Sequence, residues 1–357
     1  MADFLIHGAT GYTGSLIAHE AGRRGYRPIV AGRNADALAT LARKLGLQQR
    51  VFPLDDPSAV SASLRGVSVV LHCAGPFAHT SRPMADGCLQ ASVPYLDITG
   101  EVGVFEALAG RDREAKKAGI MLMPGVGFDV VPSDCLAAHL KQRLPSASNL
   151  ALGFLSLSRM SRGTATTIAE NLHRGGLVRR NGVLTDVPAA WKTREIDFGT
   201  GPVKAMTIPW GDLSTAYHST GIPNIEVYMA APLSTRLAVR ASRYLGWMLG
   251  SSFIQERLKR RIRAGPPGPT DEERARGKSF LWGEATDDAG QRVVSRLRGP
   301  DGYTLTVIAA LAVVERVVAG DAPPGFQTPS TAYGPEFVLG FEGMIREDED
   351  PVTVRKC

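Results

Sequence analysis

Gly8, Gly11 and Gly14 follow directly on the apolar run Phe4-Leu5-Ile6 and precede an amphipathic stretch from Leu16 to Arg24. No other feature of the chain restricts its fold more. A buried strand that turns on glycines into a helix brings bare backbone and the positive end of a helix dipole to one point. A pyrophosphate is bound by that combination. The spacing is G-x-x-G-x-x-G across Gly8, Ala9, Thr10, Gly11, Tyr12, Thr13 and Gly14, and all seven are read as one cofactor cradle. The alternative is a strand-to-helix turn with no ligand.

The next strand, Pro28-Ile29-Val30-Ala31-Gly32, ends in Arg33-Asn34. An acid at about this distance binds the adenosine ribose hydroxyls of NAD. A carboxylate there repels a 2′-phosphate, whereas a guanidinium forks onto it. Arg33, with Asn34 beside it, therefore points to NADP(H). The plainer reading is a solvated arginine at a strand end, and an Asn34 that caps the following helix.

Over the first 125 residues, short apolar runs alternate with helical periods. That pace predicts an α/β fold, a Rossmann-type doubly wound parallel sheet with ligands beyond the carboxyl ends of its strands. One helix is expected over 101–118, and Asp56 suits an N-cap. From about residue 149 the runs lengthen and turn signals appear at Asp287-Asp288-Ala289-Gly290 and Gly299-Pro300-Asp301-Gly302. These predict a second, α+β domain on a mixed, mainly antiparallel sheet, with strands at 150–157 and 303–306 among others. The expected boundaries are 1–148 for cofactor binding, 149–301 for substrate or interface, and 302–357 for a C-terminal return onto the first domain. A mostly apolar helix is expected over 305–319. Leu237, Ala241, Tyr244, Leu245 and Met248 share one face of a helix that a basic helix follows after Gly250.

Lys plus Arg is 41 against 35 for Asp plus Glu, a net charge of +6. That excess suits an anionic cofactor or carrier-linked substrate and is too small to argue for nucleic acid. Cys73, Cys88, Cys135 and Cys357 form no C-x-x-C, so neither a metal framework nor a disulfide scaffold is expected. No signal segment is expected, and the default setting is cytoplasmic. Peripheral membrane contact through the basic helical pair and a homodimer are the partner readings left open.

Further candidates lie at strand ends. Asp55 suits the adenine amine or a helix cap. Cys73, Ala74, Gly75, Pro76 and Phe77 form a loop placed beside the nicotinamide ribose. Tyr95, Asp97 and Glu101, then Phe128 and Asp129, are expected to line the substrate crevice. The alternative reading makes Asp97 a structural acceptor and Glu101 a partner of a helix dipole. Tyr217 and His218, in a loop-rich stretch from Trp210 to Pro223, are the candidate proton donors.

These stretches resemble one family. GATGYTG at 8–14, AGRN at 31–34, CAGPF at 73–77, YLDITGE at 95–101 and PGVGFDVVPSD at 124–134 are similar to the saccharopine dehydrogenase-like reductases, and within them to the trans-acting enoyl reductases. The likeness continues through IPWGDLSTAYHSTGIPNIEVY at 208–228, GYTLT at 302–306 and PGFQTPSTAYG at 324–334. It implies an NADP-binding Rossmann domain with an inserted second domain, and NADPH-dependent reduction of an enoyl C=C bond on a lipid- or polyketide-derived acyl substrate. It carries over no catalytic acid. Two alternatives stand beside it. One is a C=N reductase or amino-acid dehydrogenase, which needs an arginine clamp such as Arg162, Arg179, Arg180 or Arg194. The other is a non-catalytic NADP-binding, lipid-associated protein.

Overall fold

The computed structural model describes residues 4–156, 159–171 and 173–353, with the backbone alone at 245–247. Leu157, the side chain of Leu245, and Cys357 lie outside the described residues. The chain divides into two units: the stretch up to Val131 with Tyr303–Ala332, and Pro132–Gly302 with the segment from Tyr333.

In the first unit β1 (Leu5–His7), α1 (Tyr12–Arg23), β2 (Ile29–Gly32), α2 (Ala35–Leu45), β3 (Gln49–Val51), α3 (Pro57–Ser63), β4 (Val70–His72), α4 (Phe77–Ala91), β5 (Tyr95–Asp97), α5 (Val102–Ala109), α6 (Asp112–Ala118) and β6 (Met121–Met123) follow one another. The second contains α7 (Val131–Arg143), β7 (Asn149–Ser156), α8 (Arg162–Asn171), β8 (Gly176–Arg180), β9 (Val183–Val187), β10 (Thr193–Asp197), β11 (Pro202–Thr207), α9 (Asp212–Thr220), β12 (Asn224–Ala230), α10 (Leu233–Leu249), α11 (Ser252–Ala264), α12 (Asp271–Arg276), β13 (Lys278–Thr286) and β14 (Gln291–Pro300). Then α13 (Gly302–Val318) and β15 (Gly325–Phe326) return to the first unit, and β16 (Ile345–Asp348) to the second.

The first sheet runs β15-β6-β5-β4-β1-β2-β3, and every neighbouring pair is parallel. β1, β2, β4, β5 and β6 are buried throughout, as a sheet covered on both faces requires. Only the edge strand β3 is largely exposed. The order reverses between β1 and β4, which places the glycine turn after β1 at the switch point where doubly wound sheets bind ligands. Leu5, Ile29, Ala31, Phe52, Val60 and Val70 anchor the core on one face. Asn34 caps α2, accepting the Ala37 N–H at 3.0 Å, and Asp56 caps α3, as the sequence predicts.

The second sheet runs β10-β11-β12-β7-β13-β14-β16, parallel only at β12/β7, and is thus mixed and mainly antiparallel. Asp287 closes the β13–β14 hairpin by accepting the Gln291 N–H at 2.8 Å.

Four expectations change. The stretch 101–118 is two helices, because α5 ends at Gly110 and Asp112 and Glu114 start a new first turn. Residues 303–306 are no strand; they form the first turn of α13, which is buried along Leu305, Ala309, Ala310, Val313 and Val314. The segment from Tyr333 belongs to the second unit, because Ile345–Asp348 pairs with β14, so the expected return ends at Ala332. Residues 132–148 also join the second unit: Leu136 and Leu140 of α7 pack on Gly283 of β13 so closely that a Cβ there would lie 2.5 Å from Leu140 Cδ1.

Candidate cofactor site

The cradle is built by close backbone approach. Gly8 holds φ +80°, a conformation that L side chains rarely adopt, and a Cβ on it would lie 2.7 Å from the Ala74 nitrogen. A Cβ on Gly14 would lie 2.4 Å from the Gly8 carbonyl oxygen. The Gly8 N–H donates to the Ala31 carbonyl at 2.8 Å, and the Gly11 N–H to the Gly8 carbonyl at 3.0 Å. Gly11, the N-cap of α1, offers its helix no side-chain acceptor, so the positive end of the dipole has no carboxylate or hydroxyl of its own to cap it. Ala9 and Gly14 are buried, Gly8, Tyr12 and Thr13 half-buried, and Thr10 and Gly11 exposed. The Tyr12 ring meets Tyr303 of α13 edge-on, 5.2 Å between centroids.

Arg33 is exposed at the end of β2, and among the described residues no carboxylate pairs with it. Asn34 keeps its side-chain oxygen for its cap. Asp55 is exposed and does not cap α3, which Asp56 does. These residues fit an anionic dinucleotide: a turn that side chains would fill, an uncapped helix start, and an unpaired guanidinium one strand away.

At the neighbouring strand end, burial pushes the Cys73 thiol up, which leaves it protonated. Gly75 is exposed, Ala74 and Pro76 are half-buried, and Phe77 is buried. Glu101 accepts the N–H groups of Phe77 at 2.7 Å and Ala78 at 3.0 Å. It therefore caps α4 across space, and its carboxylate is not free to serve as a plain substrate ligand.

Tyr95 and Asp97, expected in the crevice, are fully buried. Asp97 accepts from the Tyr95 hydroxyl at 2.6 Å and from the N–H groups of Thr99 and Gly125 at 2.9 Å each. Burial raises its carboxyl to about 6 in spite of those three donors. The pair holds the ends of β5 and β6 together and presents no surface to a substrate. Phe128 is half-buried and donates its N–H to the Thr306 hydroxyl at 3.0 Å. Asp129 is half-buried against Gly100, and burial raises its carboxyl to about 7.

A histidine pair lies directly under the cradle, and the sequence reading omits it. Thr80 directs its hydroxyl proton at the carbonyls of Ala74 (2.7 Å) and Pro76 (3.2 Å), so it accepts from His72 Nε2 at 3.0 Å. His72 Nδ1 then accepts from His7 Nδ1 at 3.0 Å. His7 Nε2 is left as a buried acceptor without a hydrogen-bond partner. Burial lowers the pKa of His7 to about 4 and of His72 well below its ordinary value. Both strands end in His, the one signal in the sequence, but the pairing requires β1 beside β4.

In the second unit, Tyr217 and His218 lie on the helix α9 and not in a loop. Tyr217 is half-buried with the Arg179 guanidinium 4.2 Å from its ring centre; His218 is exposed. The arginines considered for a clamp are mostly engaged. Arg179 donates to the carbonyls of Leu213 and Gly182, Arg162 to that of Gly265, and Arg194 pairs with Glu284 at 2.7 Å. Arg180 stacks on Trp191. No group of three or more His, Cys, Asp or Glu that would hold a metal occurs among the described residues.

Residues 4–123 match the family described as the saccharopine dehydrogenase NADP binding domain. A trans-acting enoyl reductase of Mycobacterium ulcerans is 25% identical over 270 residues, 70% of this chain and 63% of that protein. A saccharopine dehydrogenase-like oxidoreductase of Bos taurus is 25% identical over 174 residues, 43% of this chain and 41% of that protein. The chain thus spans less than two thirds of the length of these relatives. In fold, it is similar to apo saccharopine dehydrogenase (L-Glu forming) of Saccharomyces cerevisiae, with a TM-score of 0.66 at 10% identity over 98% of this chain and 100% of that one. Over residues 4–123 the chain is thus similar to an NADP-binding domain, and the cofactor of this protein is NADP(H).

Proposed function

We propose that the protein is an NADPH-dependent reductase of a conjugated enoyl C=C bond on a lipid- or polyketide-derived acyl group, free or carrier-linked. The observation that carries the reading is the cradle at Gly8 and Gly14 with the unpaired Arg33 beside it. The enoyl half is supported by relatives named trans-acting enoyl reductase that share 25% of residues over 70% of the chain.

NADPH, when bound, supplies a hydride. Gly8 to Gly14 would hold its pyrophosphate, Arg33 with Asn34 its 2′-phosphate, and Asp55 its adenine amine. The loop from Cys73 to Phe77 would take the nicotinamide ribose. Reduction at the β-carbon leaves negative charge on the carbonyl oxygen and requires a proton at the α-carbon. Tyr217 and His218 are proposed as donors to that oxygen. Asp129, whose carboxyl titrates near neutrality, has the acid strength for the α-carbon.

The test is NADPH oxidation by the full chain with an enoyl thioester, run beside a keto acid with an amine. Turnover of the thioester is expected. Turnover of the imine-forming pair alone transfers the assignment to C=N reduction. NADPH binding with no turnover across an enoyl panel assigns the chain to cofactor binding alone.

A further inference from the structure

α10 turns several of its large apolar side chains to solvent. Two polar side chains help to anchor it. Arg243 donates to the carbonyls of Ala189 at 2.6 Å and Ala190 at 2.8 Å, and the buried Ser242 bonds the Val239 carbonyl at 2.7 Å. The outward stripe carries Leu233, Leu237, Arg240 and Tyr244, one residue every three or four. Leu233 is 60% exposed, Leu237 55% and Tyr244 82%. Past Gly250 and Ser251, α11 continues the theme. Phe253 is 72% exposed, and Arg257 and Arg260 follow on its stripe. The other side of α11 is tied to α8, by Gln255 to the Ala169 carbonyl at 2.9 Å and Lys259 to Glu170 at 2.8 Å.

Charge singles out the same pair of helices. Residues 233–264 hold eight of the 41 Lys and Arg and one of the 35 Asp and Glu, Glu256. The rest of the chain has 33 basic against 34 acidic side chains. The entire positive excess of the protein therefore resides on these two helices, interleaved with four exposed large apolar side chains that include Tyr244 and Phe253, the two most exposed among the described residues.

We propose that α10 and α11 form a docking face for an anionic phospholipid bilayer. Leu233, Leu237, Tyr244 and Phe253 enter the boundary between headgroups and acyl chains, and Arg240, Arg257, Arg260 and Arg261 meet the lipid phosphates. No helix among the described residues is long and apolar enough to cross a membrane, and the proposal is for binding in the plane of the surface. A second copy of the chain is the rival occupant. A two-fold contact would set this patch against itself, arginines facing arginines with one glutamate a side to offset them.

The proposal does not depend on the reductase reading, and its test involves no turnover. The full chain is sedimented with vesicles of phosphatidylcholine alone and of phosphatidylcholine with about 30% phosphatidylglycerol. Binding to the anionic vesicles only, released by high salt, is expected. Replacing Arg257, Arg260 and Arg261 together (Arg→Gln at each) should weaken partition roughly a hundredfold, from the attraction of each basic residue to an anionic surface. The double variant Leu237→Ser, Phe253→Ser should also release the protein. All these side chains are exposed, and unchanged thermal melts confirm that both variants fold. Equal binding to neutral and anionic vesicles, or to neither, overturns the proposal. So does a dimer in sedimentation velocity that Leu237→Ser dissociates, which gives the face to a second copy.

Discussion

Gly14→Ala tests the cradle with the smallest possible change. The added methyl would lie 2.4 Å from the Gly8 carbonyl oxygen and 3.0 Å from the Ala9 Cα. An ordinary carbon–oxygen contact is ~3.2 Å or more, so the turn must open by about 0.8 Å. Nothing flexible is available to move. Gly8 is pinned by its N–H to the Ala31 carbonyl, and its own carbonyl accepts the Gly11 N–H. A displacement of that size in a ligand-positioning element costs on the order of a hundredfold, or about 2.7 kcal/mol in affinity. NADPH titration by calorimetry measures it, with a thermal melt alongside to register loss of fold. Gly22→Ala in the same helix is the control, since a Cβ there meets nothing within 4 Å. It should bind NADPH as the wild type does and gain up to about 1 kcal/mol of stability from helix propensity. Gly14→Ala binding NADPH within about twofold of the wild type would refute the close-approach argument.

Three further outcomes follow from the site. Arg33→Asp should cut NADPH affinity relative to NADH by on the order of a hundredfold, losing a charge-assisted contact and adding repulsion, and an unchanged ratio of the two dissociation constants would sink the 2′-phosphate assignment. His7 titrates at about 4 in the folded chain against 6.5 when free, so between those values the unfolded chain holds a proton that the folded chain does not. Stability is therefore lost as pH falls through that window, by up to about 3 kcal/mol, and His7→Gln should flatten that part of a urea-melt pH series. Asp129 has the opposite sign: its folded value of about 7 lies above 3.8, so its charged form costs stability as pH rises from 4 to 7. Asp129→Asn should gain on the order of 2–4 kcal/mol above pH 7, discounted for partial exposure, and nothing below pH 4. If Asp129 is the proton donor, the same variant loses kcat with NADPH affinity intact, and an unaltered kcat removes it from that role.

The parts of the fold legible in the sequence are those fixed within one turn or strand. Asn34 and Asp56 cap the helices that begin one residue after them, because a cap requires only a short acceptor and the next turn. The stretches that misled carry local signals shared by two structures. Tyr303-Thr304-Leu305-Thr306 has strand-forming residue types, yet burial of the following apolar run draws it into α13. The Ser, Thr and Gly content around Tyr217 suggests a loop, but the segment 212–220 is helical and ends on Gly221 in the left-handed conformation. Strand parity correctly puts Tyr95 and Asp97 on one face. It cannot say that the Gly125 N–H, 28 residues later, closes that face.

What the sequence determined by itself is the cradle: strand, glycine turn, helix, and an arginine at the next strand end. Those are short-range properties of φ, missing side chains and a helix dipole, and they predict a dinucleotide site and point at its phosphate. Tertiary structure alone decided which acids do which work. Glu101 caps a helix that starts 24 residues before it, Asp97 is enclosed by a neighbouring strand, and His7 meets His72 across 65 residues. It also decided that the apolar stripe of α10 faces outward, because hydrophobic periodicity marks a face and only packing determines which way that face points.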